Sequence, residues 1–222
     1  VLVALAVWMT PDAMVRQIDA ATLSSLDLTM ARPSQLSAHQ QEKQQAILTK
    51  LMRHVDLPHR NIDLQFSHIP GAGPNAMALP GGTLILTDTL VQDYGTDPDL
   101  IAGVLAHEIG HVAKDHSLKQ LYSSLSIYLL IALLAGDIGP VLDSIALEGQ
   151  TLFNLSFSRR HELEADTYAL HLLTKSGYSL AGLERFFTAV SRYDGNSDWL
   201  SSHPLSQDRL RNIDQFKEHL AQ

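Results

Sequence analysis

Asp97-Pro98-Asp99-Leu100-Ile101-Ala102-Gly103-Val104-Leu105-Ala106-His107-Glu108-Ile109-Gly110-His111-Val112-Ala113-Lys114 is the stretch around which this chain is organised. Asp97 can cap the free N–H groups of a helix start, and Pro98 fits the first helical position without losing a bond. Ile101, Val104, Leu105, Ile109 and Val112 recur at helical spacing and predict a buried face. On that helix His107 and His111 lie four residues apart, so both imidazoles leave one face, one turn apart. Two neutral imidazoles so placed can share one zinc ion at about 2.0–2.1 Å. Glu108 then lies within reach of a water that the metal acidifies, and can take its proton as a general base.

Such a site needs a third protein ligand. Phe157-Ser158-Arg159-Arg160-His161-Glu162-Leu163-Glu164-Ala165-Asp166 opens a second helical run that ends near Gly177, a natural C-cap. Glu162 and Asp166 share a face there. Glu162 is the candidate third ligand, giving a His₂Glu set with one open position. Asp166, one turn on, can accept the distal N–H of a ligand histidine and so fix its tautomer.

With these residues on the page, the chain resembles the gluzincin metallopeptidases of the HtpX, Oma and CAAX-prenyl-protease type. The match runs from about Ile62 to Ile213 and includes Pro74-Asn75-Ala76-Met77-Ala78-Leu79-Pro80-Gly81-Gly82 and Ser202-His203-Pro204 with Arg209. The resemblance implies a zinc-dependent endopeptidase with His107, His111 and Glu162 on one Zn²⁺ per chain and Glu108 as base. It implies that Asn75 and Ala76 lie on a sheet edge that binds the substrate backbone by strand addition. It brings His203 and Arg209 near the metal. His203 is read as catalytic, either donating to the oxyanion, the favoured role, or acting as a fourth ligand in a resting enzyme. Arg209 would position that loop or pair with an acidic residue of the site. The setting implied is membrane or envelope protein quality control, with the domain in the periplasm and the cytoplasmic face as the other choice. Integral-membrane members carry two clear spans between the second histidine and the glutamate, and this chain does not.

Composition is consistent with that reading. The 222 residues are 45% hydrophobic, 6% aromatic and 18% charged, enough for one domain with a core of Leu, Ala and Ile. A net charge of −8 without a basic run argues against nucleic acid as a partner. The absence of cysteine excludes disulfides and thiolate metal sites.

The rest of the chain predicts an α+β fold, mostly helical, with a small antiparallel sheet beside the metal helix. Helices are expected from Thr10 to about Leu26, from Ser34 to His54, from Ser179 to Tyr193 and from Ser206 to Leu220. Strands are expected at Ile62–Phe66, Asn75–Leu79 and Thr83–Thr87, as an antiparallel meander. Residues 10–222 form a single domain. Val1–Met9 is too short to span a bilayer; it reads as the remnant of a membrane anchor with Trp8 near the interface, or else as a signal remnant or buried strand. The apolar run Leu125–Ala135 reads as half of a helical hairpin that is either buried or membrane-facing. His116, His161 and His171 have no partner at ligand spacing and are taken as non-catalytic. Two other functions stay open: a zinc-stabilised chaperone or scaffold binding unfolded chains, and a membrane-binding module.

Overall fold

The computed structural model of the chain describes residues 2–124, 136–137, 139, 143, 156–192, 198–205 and 207–220. Ten helices and four strands fall among them. The centre is helix α5 (Pro98–Ala113), capped by the Asp97 side chain on the Leu100 N–H. Every residue from Leu100 to Val112 is buried, so the helix is enclosed on all sides rather than along the one face that its apolar spacing predicts. A helix surrounded in this way has no solvated stripe.

Its neighbours explain the enclosure. Helix α3 (Ala38–Met52) packs on one side, its N-terminus closed by the reciprocal Ser37–Gln40 capping box. Helices α7 (Arg159–Ser176) and α8 (Ala181–Ser191) pack on others. Both approaches are closest at glycine. A Cβ on Gly110 would sit 2.8 Å from the Ala165 carbonyl oxygen, and one on Gly103 would sit 2.9 Å from the Leu183 nitrogen. Glycine therefore sets how near α7 and α8 come to α5. Helix α7 ends at Gly177 in the left-handed conformation (φ 68°), the C-cap expected there. Leu105 and Ile109 are fully buried in this cluster, and truncating either to alanine would cost about 2–5 kcal/mol.

The sheet covers the remaining side. Its strands are β1 (Arg32–Pro33), β2 (Asp63–His68), β3 (Ala76–Ala78) and β4 (Thr83–Thr87), in the order β1-β2-β4-β3. The α+β class holds, but the sheet is mixed: β2 and β4 run parallel, with Leu64 opposite Leu84 and Phe66 opposite Leu86. All five residues of β4 are buried, which suits a strand paired on both sides. The Ile69–Asn75 segment carries the chain past β4, and Pro80-Gly81-Gly82 (Gly82 φ 114°) folds β3 back against its outer side. That crossing, not a meander, makes β3 an edge strand among the described residues.

Helices α1 (Leu2–Met9) and α2 (Asp12–Thr29) form a separate apolar cluster with α6 (His116–Ser124). Ala6 of α1 is buried there, while Trp8 is 81% exposed. Helix α4 (Asp88–Tyr94), the short α9 (Asp198–Ser202) and α10 (Gln207–Leu220) complete the elements. Among the described residues no helix is long and apolar enough to cross a membrane. The Leu125–Ala135 run lies outside the described residues.

Candidate active site

Four buried side chains from three elements converge: His107 and His111 of α5, Glu162 of α7 and His203 of the loop between α9 and α10. His107 Nε2 lies 3.0 Å from His111 Nε2 and 3.3 Å from His203 Nδ1. Glu162 Oε1 lies 3.1 Å from His203 Nδ1 and 3.4 Å from His111 Nε2, and Glu162 Oε2 lies 3.6 Å from His107 Nε2. A tetrahedral zinc with ligands at about 2.0–2.1 Å separates its donors by about 3.3–3.4 Å. The donor set fits that ion in type and number, and these five separations lie around that spacing.

The electrostatics also favour a cation. Burial alone would raise Glu162, but the facing His203, His111 and His107 outweigh it and hold the carboxyl well below its ordinary value. Burial would lower His203, yet the carboxylates of Glu162 and Glu108 draw it upward. Burial keeps His111 well below the usual imidazole value, hence neutral and able to donate a lone pair.

Each group is held from behind. The His107 Nδ1–H donates to Asp166 Oδ1 at 2.8 Å, which leaves Nε2 free as a donor to metal. Arg209 of α10 grips Asp166 with two bonds, Nε to Oδ2 at 2.6 Å and Nη2 to Oδ1 at 2.7 Å. Its Nη1 is 2.6 Å from Glu162 Oε2 and also donates to the Pro204 carbonyl at 3.4 Å. One guanidinium, itself fully buried, thus bridges both carboxylates and fixes the His203 loop. Trp199 stacks on His203 at 4.7 Å, and the His203 N–H donates to the Trp199 carbonyl at 2.7 Å.

Glu108 projects into the same space. Its carboxylate is buried, and neither oxygen has a hydrogen-bond partner among the described residues. His203 Nε2 lies 3.6 Å from Oε1. A buried carboxylate left without donors is costly unless water or substrate completes it. Beside it a cleft is lined by Asn75, Ala76, Met77, Ser117, Phe157 and His203. Asn75 and Ala76 are buried at the start of edge strand β3; the Asn75 Oδ1 accepts the Ala76 N–H at 2.8 Å, and Ser117 Oγ donates to the Ala78 carbonyl at 2.8 Å.

The model of peptidase family M48 matches residues 38–217. The chain belongs to that family. Its M48 relatives include the metalloprotease LoiP of Escherichia coli strain K12, 33% identical over 146 residues, 63% of this chain and 57% of LoiP. The mitochondrial metalloendopeptidase OMA1 of Saccharomyces cerevisiae is 28% identical over 157 residues, 66% of this chain and 44% of the relative. A protein of Vibrio cholerae serotype O1 named a putative beta-barrel assembly-enhancing protease is 29% identical over 150 residues, 61% of this chain and 31% of the relative. The chain spans about half the length of these relatives or less.

Within this M48 domain the structure brings together His107, Glu108, His111, Glu162, Asp166, His203 and Arg209, and sets Asn75 and Ala76 along the adjoining cleft. It also adds a residue that spacing left out. His116 is fully buried, with Nδ1 3.1 Å from His111 Nδ1 and Nε2 3.1 Å from Glu164 Oε2. Burial brings its imidazole down to about 4. His161 stacks on it at 4.3 Å, while His171 is exposed and meets the edge of Phe216.

Proposed function

We propose that this chain is a zinc-dependent metalloendopeptidase, with zinc held by His107, His111 and Glu162 and with Glu108 as general base. The observation that carries this reading is the buried cluster of four metal-type donors beside a carboxylate with no hydrogen-bond partner among the described residues. Bound zinc would supply Lewis acidity toward the scissile carbonyl and toward water. Glu108 would accept the proton of the attacking water and deliver it to the leaving amine. Asp166 holds the His107 proton on Nδ1, and Arg209 holds Asp166 and Glu162 in register. The substrate backbone would add as a strand along β3, which pairs with β4 on one side only among the described residues, beside Asn75 and Ala76.

For His203 the geometry favours resting ligation over oxyanion donation. Its Nδ1 lies 3.3 Å from His107 Nε2 and 3.1 Å from Glu162 Oε1, at the spacing of a fellow ligand, whereas an oxyanion donor would stand off the metal. Because three α5 and α7 donors plus His203 fill four positions, His203 would have to withdraw before substrate binds. His203→Ala should keep zinc and raise activity on a short peptide.

The relatives' names support protein substrates and an envelope setting, and we infer membrane or envelope protein quality control from the periplasmic side. Exposed Leu5, Trp8 and Met9 on α1 support membrane contact through the N-terminal segment. The test is casein digestion with metal analysis. Glu108→Gln should keep one zinc per chain and lose nearly all cleavage; retained proteolysis in the purified variant would reject Glu108 as the base.

A further inference from the structure

His116 has no step in the reaction drawn above, yet it is fully buried against a metal donor. We propose that His116 and Glu164 are positioning residues that fix the ring and tautomer of His111, a second support for the metal site beside Asp166 on His107. This rests on the reading that His111 gives its Nε2 to zinc.

The direction of every bond follows from donor and acceptor chemistry. His111 Nε2 faces the other metal donors, so its lone pair is there and its proton sits on Nδ1. Among the described residues the acceptor for that proton is the lone pair of His116 Nδ1, 3.1 Å away. His116 must then carry its own proton on Nε2, which donates to Glu164 Oε2 at 3.1 Å. The other Glu164 oxygen accepts from Arg160 Nε at 2.8 Å. The carboxylate at the outer end thus dictates the tautomer at the metal end.

Local structure is built to hold this line. Lys114 and Asp115 end α5 in a tight turn, with Asp115 in the left-handed region at φ 52°, and α6 restarts at His116. Arg60 pins that turn through Asp115 Oδ1 at 2.8 Å and ties it to Asp12 at 3.0 Å. His161 stacks on His116, and Phe157 stacks on His111 at 4.0 Å, so neither ring can rotate freely. A neutral imidazole suits the place: Glu162 and Asp166 already share a single arginine, and another carboxylate against His111 would add uncompensated negative charge.

The experiment measures zinc affinity by chelator competition, and melting temperature with and without zinc, in wild type, His116→Phe, Glu164→Ala and Glu164→Gln. His116→Phe removes the acceptor but keeps a ring against His161; zinc affinity should fall about 10–100-fold. Glu164→Ala should fall several-fold, in the same direction. Glu164→Gln, which keeps an acceptor oxygen, should recover most of that loss. Metal-free melting of the Glu164 variants should match wild type while the gain on adding zinc shrinks. Glu164 is on a half-exposed helix position, so these variants carry the test if His116→Phe does not fold. Wild-type affinity in the folded variants would overturn the proposal, as would equal destabilisation with and without zinc. A wild type that takes up no zinc would remove the underlying metal reading, and the positioning role with it.

Discussion

The two histidines of α5 are held from behind in different ways. His107 leans on Asp166, which Arg209 grips with two bonds in a fully buried cluster. His111 leans on His116, then on Glu164, then on Arg160, whose side chain is 86% exposed. The first line ends inside the protein on a charge that has nowhere else to go; the second ends in water. Burial makes the first essential to the fold as well as to the metal. Exposure frees the outer end of the second from any such structural load.

Substitution at the inner arginine gives the largest expected effect. Arg209→Met leaves Asp166 and Glu162 buried without their cation and should destabilise the metal-free protein by about 3–5 kcal/mol in urea unfolding. An unchanged midpoint would mean that Arg209 is not what neutralises them.

Asp19 shows what a buried carboxylate does without an arginine. It accepts the Gly81 N–H at 2.8 Å, but burial dominates and pushes its carboxyl up to about 6. A raised folded value means that its contribution is full at pH below the ordinary 3.8 and is lost as pH rises through about 6. Asp166 has the opposite sign: burial would raise it, but Arg209 overrides and lowers it, so its contribution is present at neutral pH and is lost only in acid below 3.8. Asp19→Asn keeps an acceptor for Gly81 and should stabilise the protein at pH 7.5 by up to about 2–3 kcal/mol, with no gain at pH 3.5. Equal gains at both would remove ionisation as the cause.

Both lines depend on the distance between α5 and α7. Gly110→Ala puts a methyl against the Ala165 backbone and should cost about 1–3 kcal/mol, with weaker zinc binding as Glu162 is pushed away. The smallest effect belongs to the outer arginine. Arg160→Ala removes an exposed pair and should change stability by no more than about 0.5 kcal/mol. A loss as large as that at Arg209 would erase the contrast between the two lines.

What was legible in the sequence follows the same division. Spacing of four on α5 and on α7 was enough to propose His107, His111, Glu162 and Asp166, because a continuous helix turns period into direction. His203 and Arg209 come from elements remote in sequence, and only resemblance to a known family brought them to the site. His116 escaped because five residues beyond His111 on one unbroken helix would face about 140° away. The left-handed Asp115 breaks that helix and returns the ring beneath His111. The fold class was readable too, yet the parallel β2–β4 pairing was not: alternation marks a strand but carries no information about the direction of its partner. The uniform burial of Thr83–Thr87, which marks the central strand, appears only in the structure.

The claim on which the rest depends is that His107, His111, Glu162 and His203 close around one zinc. Zinc-edge X-ray absorption on the resting enzyme, beside His203→Ala, tests it most directly. Four nitrogen and oxygen donors at about 2.0–2.1 Å with three imidazoles in wild type, falling to two in the variant, is the expected result. A resting wild type with two imidazoles, unchanged by His203→Ala, would contradict the closed tetrahedron and return His203 to the role of oxyanion donor.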